Sequence, residues 1–235
     1  MNKKIFCAVI LFVISVFSQS KDPEQILDKV KAEFNKIDDY SVDVKIKVDV
    51  DFLKIPDREA KIYYKKPDKV HIESEGFAML PKEGLNFSPL TLLNSNHTSF
   101  YVREDTLKGI VTSVIKVIPL DGKLDVILST LWIDTKRNII LKIESSRKPE
   151  GTFTIDLDYT KIDKGFWLPS SMLFTFTFDR SILPKSFNLD NDSNINKEIQ
   201  DSTRNKTGKV IIDYSDYKVN TRLSDKIFES KNSVK

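Results

Sequence analysis

The side chains able to act on a substrate in this 235-residue sequence are few, and their spacing assembles no reagent. The two histidines, His71 and His97, have no cysteine partners and no His-x-x-x-His spacing, which argues against a zinc site. No Gly-x-Ser-x-Gly elbow, phosphate-binding Gly-rich loop or dinucleotide fingerprint occurs, and seven glycines leave little material for such loops. Asp49 and Asp51 come nearest to a paired acid and base. They stand at i and i+2 on the polar side of an alternating stretch, where solvating that face is their simplest role. The expectation is a protein with no catalytic residues, no metal and no cofactor. A hydrolase of envelope polymers, with carboxylates converging from distant strands, is the enzymatic alternative that spacing leaves open.

What the chain does have to position is apolar surface. From Tyr40 to Phe52 the even positions read Tyr, Val, Val, Ile, Val, Val, Phe, and the odd ones Ser, Asp, Lys, Lys, Asp, Asp. A period of two with β-branched residues on one side is a strand with one dry and one wet face. At about 3.3 Å per residue it would run roughly 40 Å, much longer than an ordinary strand. A strand of that length curves, and its charged odd positions require an antiparallel sheet. The fold class expected is therefore mainly β (α+β).

The first residues read as a signal peptide over 1–20: Lys3 and Lys4, an uncharged run from Ile5 to Phe17, then Ser18-Gln19-Ser20. The remainder, 21–235, has no cysteine, so its stability must come from burial in a single domain. Removing Lys3 and Lys4 from 37 basic residues leaves 35 against 34 acidic ones, a balance that argues against a nucleic-acid partner.

Asp22-Pro23-Glu24-Gln25 starts a helix whose apolar side carries Ile26, Leu27, Val30, Phe34 and Ile37. Ala60, Ile62 and Tyr64 continue the alternation up to a corner at Lys65-Lys66-Pro67-Asp68. Val70 and Ile72 follow as a dry face, with His71, Glu73 and Glu75 opposite. From Gly76 to Asn96 the alternation stops, and Ser88-Pro89 starts a short helix with Leu90, Leu92 and Leu93, either a plug or a movable cover. Strands are expected at Phe100–Val102, Leu107–Ile118, Val126–Asp134, Ile139–Ser145, Thr152–Ile162 and Trp167–Phe178, with Asp121-Gly122 as a turn. Phe153, Ile155, Leu157 and Tyr159 form one dry face; Met172, Phe174, Phe176 and Phe178 form another. Residues 180–208, rich in Asn, Asp and Ser, read as a mobile loop before a last strand with Val210, Ile212 and Tyr214.

Several stretches together resemble the LolA family of periplasmic lipoprotein carriers. They are the Asp22–Val30 helix start, Ile37-Asp38-Asp39-Tyr40-Ser41 leading into the long strand, Tyr63 to Lys69, Trp132-Ile133-Asp134 to Ile143-Glu144, and Tyr214 to Asn220 with Phe228-Glu229. The resemblance implies an incomplete β-barrel, a strongly curved antiparallel sheet covered by short helices, whose interior receives acyl chains of lipoproteins or lipid. It implies a non-catalytic, monomeric periplasmic carrier exchanging cargo with an inner-membrane releasing complex and an outer-membrane acceptor. The lipid-binding residues would be Val44, Ile46, Val48, Val50, Ile62, Tyr64, Ile72, Leu90, Leu93, Phe153, Ile155, Leu157, Met172, Phe174 and Phe176, with Met79 as a further adaptable side chain. Family carriers place an arginine before the proline matching Pro67 to hold the lid shut. The resemblance makes Lys66 the expected lid latch, with an ammonium in place of a planar fork. The related sensor domain of RseB makes an envelope lipid or stress sensor, or an assembly subunit, the alternative.

Overall fold

The computed structural model describes residues 21–50, 56–74, 89–120, 126–147, 151–162, 165–179, 205–229 and 233–234. The expected signal peptide, the Asp121-Gly122 turn, Met79 and residues 180–204 lie outside that set.

Helix α1 spans Pro23–Phe34. The Asp22 side chain accepts from the Glu24 amide at 3.0 Å, and Pro23 occupies the first turn, where its missing N–H would have had no partner. Leu27 and Val30 are fully buried, with Ile26 and Phe34 packed beside them. Ile37, expected on the same face, lies past the C-cap Asn35, because the chain tightens there into a Lys36-to-Glu33 amide–carbonyl bond. It packs instead with Leu168 and Val219.

Strand β1, Asp39–Val50, shows the predicted alternation from Val42 to Asp49: even positions are buried, while Lys45, Lys47 and Asp49 face solvent. Its start differs, since Asp39 and Ser41 are buried as well. β2 (Arg58–Lys65) and β3 (Lys69–Glu73) follow as a hairpin turning at a cis Lys66–Pro67 bond. His71, expected on a wet face, is buried. A short C-terminal strand β11, Ser233–Val234, pairs outside β3 with Ser233 opposite His71, and the Tyr63 ring lies 5.8 Å from the imidazole.

Helix α2, Pro89–Asn94, leads into β4 (His97–Leu107), β5 (Ile110–Pro119), β6 (Val126–Asp134), β7 (Ile139–Arg147), β8 (Thr152–Lys161), β9 (Trp167–Asp179) and β10 (Asn205–Val219). The strand expected from Leu107 to Ile118 is divided: Leu107 ends β4, and Lys108-Gly109 makes a two-residue turn with positive φ at both positions. Lysine in the first position hides this turn from a search for Asn-Gly or Asp-Gly. The loop expected to reach residue 208 ends sooner, because Asn205 to Gly208 pair with Asp179 to Phe176. Nor is β10 the last strand. After it, Ser224 caps a 3-10 turn, Asp225–Phe228, and β11 follows.

The described strands join one antiparallel sheet in the order β11-β3-β2-β1-β10-β9-β8-β7-β6-β5-β4. The edges β11 and β4 do not pair, so the barrel is incomplete. Buried residues from β1, β2, β3, β5, β6, β7, β8, β9, β10, α1 and α2 nevertheless form a single cluster. A flat sheet of this width could not bring them together, so the sheet curls around its apolar side with the helices inside the curl.

Candidate functional site

The dry faces read separately along each strand become rows across the sheet once register is known. One row runs Val48–Val210–Phe174–Ile155–Ile143–Leu131–Ile115–Tyr101, crossing from β1 to the edge strand β4. Beside it run Ile46–Ile212–Met172–Leu157 and Val50–Gly208–Phe176–Phe153. The concave face is therefore a continuous apolar trough. Of the residues singled out from the sequence, Val44, Ile46, Val48, Ile72, Leu93, Phe153, Ile155, Leu157, Met172 and Phe174 are buried in its cluster, with Val50, Ile62 and Phe176 packed half-buried against it. Leu90 and Tyr64 are half-buried outside that cluster, and the Phe178 side chain is outside the described set.

The trough is not equally filled along its length. Leu27, Val30 and Val42 have 0 % exposure and Ile46, Leu92 and Leu93 have 1 %, so these side chains are closed off from solvent. Val48 and Met172 retain 7 % and 8 %, and Val50 and Phe176 are half-buried, so packing loosens toward the aromatic end. There a Cβ on Gly208 would lie 2.5 Å from the Phe176 ring, which stacks on Phe174 at 5.3 Å between centroids. Gly208→Ala should push the Phe176 ring off its seat and destabilise the fold by about 1–3 kcal/mol. A thermal melt unchanged from wild type would show that the ring moves away freely.

The opposite end is lined by phenols. Tyr40 stacks on Tyr64 at 5.2 Å and meets Tyr217 edge-on at 6.0 Å, and Tyr214 stacks on Tyr217 at 6.3 Å. The Tyr159 and Tyr217 hydroxyls donate to the carbonyl oxygens of Ile140 and Pro169, both at 2.9 Å. Among the described residues, Tyr214 reaches only the Met172 sulfur, at 3.9 Å. Burial, reinforced by the Tyr64 hydroxyl, pushes Tyr40 up to about 12. Burial also raises Tyr159, Tyr214 and Tyr217, so all four stay protonated donors at neutral pH. Tyr217 was not among the residues picked out by alternation. The β1–β10 register shifts between Ser41 and Asp43, and Asp216 takes a positive φ, so Tyr214 and Tyr217, three apart, share one face.

Helix α1 bridges the two sides of the trough. At its start, Ser99 Oγ donates to Glu24 Oε1 at 2.5 Å, and Lys21, ion-paired with Glu104, lies 5.9 Å over the Tyr101 ring of β4. At its end, Lys66 Nζ donates to the Asn35 carbonyl oxygen and to Asp38 Oδ1 at 2.9 Å. Asn220 accepts from the Asp38 amide at 2.7 Å and donates to the Lys36 carbonyl oxygen at 3.1 Å. Lys66 thus binds the carbonyl end of α1, where a cation is favoured. Lys66→Ala should cost about 0.5–1 kcal/mol and speed amide exchange in the last turn of α1, while Lys66→Arg keeps the slow exchange. Equal exchange at Glu33 to Asn35 in wild type and the alanine variant would show that the contact restrains nothing.

Among the described residues, no group of three His, Cys, Asp or Glu side chains could hold a metal ion, and no helix is long and apolar enough to cross a membrane. No family model and no curated protein matches this sequence. Solved structures do match. A domain described as an outer membrane lipoprotein-sorting protein from Vibrio parahaemolyticus is 11% identical, with 88% of this chain and 95% of that one aligned at a TM-score of 0.62. A LolA superfamily protein from Nitrosomonas europaea is 14% identical over 88% and 97% at 0.58, and a DUF1329 family protein from Desulfovibrio piger 14% over 88% and 96% at 0.59. Identity this low shows a common fold, and it is the incomplete LolA-like barrel.

Proposed function

We propose that this chain, built on the LolA-like fold, binds the acyl chains of lipoproteins or lipids in its apolar trough and shields them from water in the periplasm, as a carrier toward the outer membrane. The observation that carries the reading is the cover. Among the described residues, an apolar face crossing eight strands, from β1 to β4, is covered by the helices α1 and α2 and not by a second sheet. Displacing α1 and α2 would open a trough with little loss of sheet hydrogen bonding. The sorting role named for the Vibrio parahaemolyticus domain supports the same direction.

Leu27, Val30, Leu92 and Leu93 hold the helices against the sheet in this form, which we read as closed, so that loading requires α1 and α2 to move. Each methylene taken from water into the trough contributes roughly 0.8 kcal/mol, enough to offset the helix contacts given up. The cover is held mainly by packing and by exposed polar bonds at its ends, so it can reclose when cargo leaves.

Native mass spectrometry of the protein recovered from the envelope fraction of its source cells tests this. Co-purified lipid or acylated protein is the expected result. Empty protein that also fails to take up acyl ligand after delipidation would overturn the carrier.

A further inference from the structure

We propose that the phenol cluster at the α1 C-terminal end of the trough is a hydrogen-bonding subsite for an uncharged acyl carbonyl, the ester or amide oxygen where a fatty chain joins its head, with Tyr40 Oη as principal donor and Tyr214 Oη as second. This rests on the reading that the trough takes acyl chains, and adds which part of the ligand sits where.

The phenols arrive from β1, β8 and β10 and lie close enough for Tyr40, Tyr159 and Tyr214 each to act on the ionisation of Tyr217. Two are already committed, Tyr159 to Ile140 and Tyr217 to Pro169, and these fix the floor of the cluster. Tyr214 has only a thioether at 3.9 Å, a weak acceptor. Tyr40 has no hydrogen-bond partner among the described residues. It is not walled in either: among those residues the only fully buried side-chain polar atom without a partner is His97 Nε2, so Tyr40 Oη opens onto accessible space. All four side chains are half-buried.

The chemistry of the recess selects its occupant. Protonated phenols donate, so the ligand must accept. Among the described residues no lysine or arginine nitrogen bonds to any of these four hydroxyls, and Arg137 acts only at a distance on Tyr159. A carboxylate would be desolvated there without a counter-ion, whereas a neutral carbonyl loses little hydration and gains the free donor. Tyr214 pairs with Val44, and the next row, from Ile46 to Met172, receives the methylenes that follow. Diacylglyceryl-modified protein and free phospholipid both present such an oxygen.

Delipidated protein is titrated by fluorescent-probe displacement with monoolein, oleate and octadecene. Parallel arms use a dipalmitoylglyceryl-cysteine peptide and phosphatidylglycerol, and carbonyl-labelled monoolein is followed by infrared. Tyr40→Phe removes a hydroxyl without a partner and keeps the ring stack on Tyr64, so its thermal melt should match wild type. The expected result is about a 3- to 10-fold weaker monoolein affinity in the variant, with octadecene unchanged. Wild type should prefer monoolein to oleate, and its ester stretch should shift to lower wavenumber only while Tyr40 is present. A similar weakening for the lipopeptide or the phospholipid identifies the source of the carbonyl. Equal changes for monoolein and octadecene, or an ester stretch indifferent to Tyr40, would overturn the subsite and leave the carrier standing. Failure of wild type to bind any of these ligands would overturn both.

Discussion

Asp39→Ala should lower the unfolding midpoint by roughly 6–12 °C, the shift expected for about 3 kcal/mol in a domain of this size. Asp39 is 4 % exposed, and its carboxylate is surrounded by donors from the segment after β10. Oδ1 accepts from the Thr221 amide at 2.8 Å and from its hydroxyl at 3.2 Å; Oδ2 accepts from the amides of Arg222 at 2.9 Å and Leu223 at 3.3 Å. Bonds to an ionised acceptor are stronger than neutral ones, and deleting it leaves three backbone N–H groups with nothing in their place. The contact holds the exit of β10 against the entrance of β1, the pair joining the two meanders of the sheet. Asp39→Asn retains one oxygen and should lose about half as much. Hydrogen exchange at Thr221 to Leu223 localises the effect. A midpoint within 2 °C of wild type in the alanine variant would show that the turn supports itself.

Val30→Asp should separate the cover from the sheet. Val30 and Leu27 are the fully buried face of α1, and an unpaired carboxylate at Val30 costs about 4 kcal/mol or more if it stays inside. A helix that is a cover has a cheaper course, which is to lift away. A 4 kcal/mol bias moves a closed-to-open equilibrium about a thousandfold, so the trough should bind an environment-sensitive dye and load octadecene without delay. The far-ultraviolet β signal should persist throughout. Ile143→Asp, on the floor of the trough, should instead unfold the protein, since a strand cannot leave the sheet. If Val30→Asp melts the sheet together with the helix, α1 is core and not cover, and the loading mechanism fails.

The strand faces were legible because a side-chain period of two is local: Val42 to Asp49 needs no partner to declare which side is dry. The α1 start was legible for the same reason, with cap, proline and apolar spacing within a few residues. Even so, apolar spacing assigns Ile37 to the helix, since it continues past a cap whose bond to Lys31 only the fold shows. Spacing likewise assigns Leu107 to the following strand, because Lys108 can take a positive φ when a hairpin demands it and its residue type does not advertise this. Alternation puts His71 on the wet side of β3, and its burial is a tertiary effect that the local pattern does not carry.

Alternation along Tyr40 to Val50 and its counterparts in β8 and β9 determined by itself that this is a curved antiparallel sheet with one apolar face, since side-chain direction in a strand follows from the backbone alone. Tertiary structure decided which residues meet. The bulge that brings Tyr217 beside Tyr214, the burial of Asp39 among the amides of Thr221 to Leu223, and the span of α1 from β4 to Lys66 all depend on register between segments far apart in sequence. A shift of one residue in that pairing would keep every local pattern and dissolve each of those contacts, which is why no local pattern could announce them.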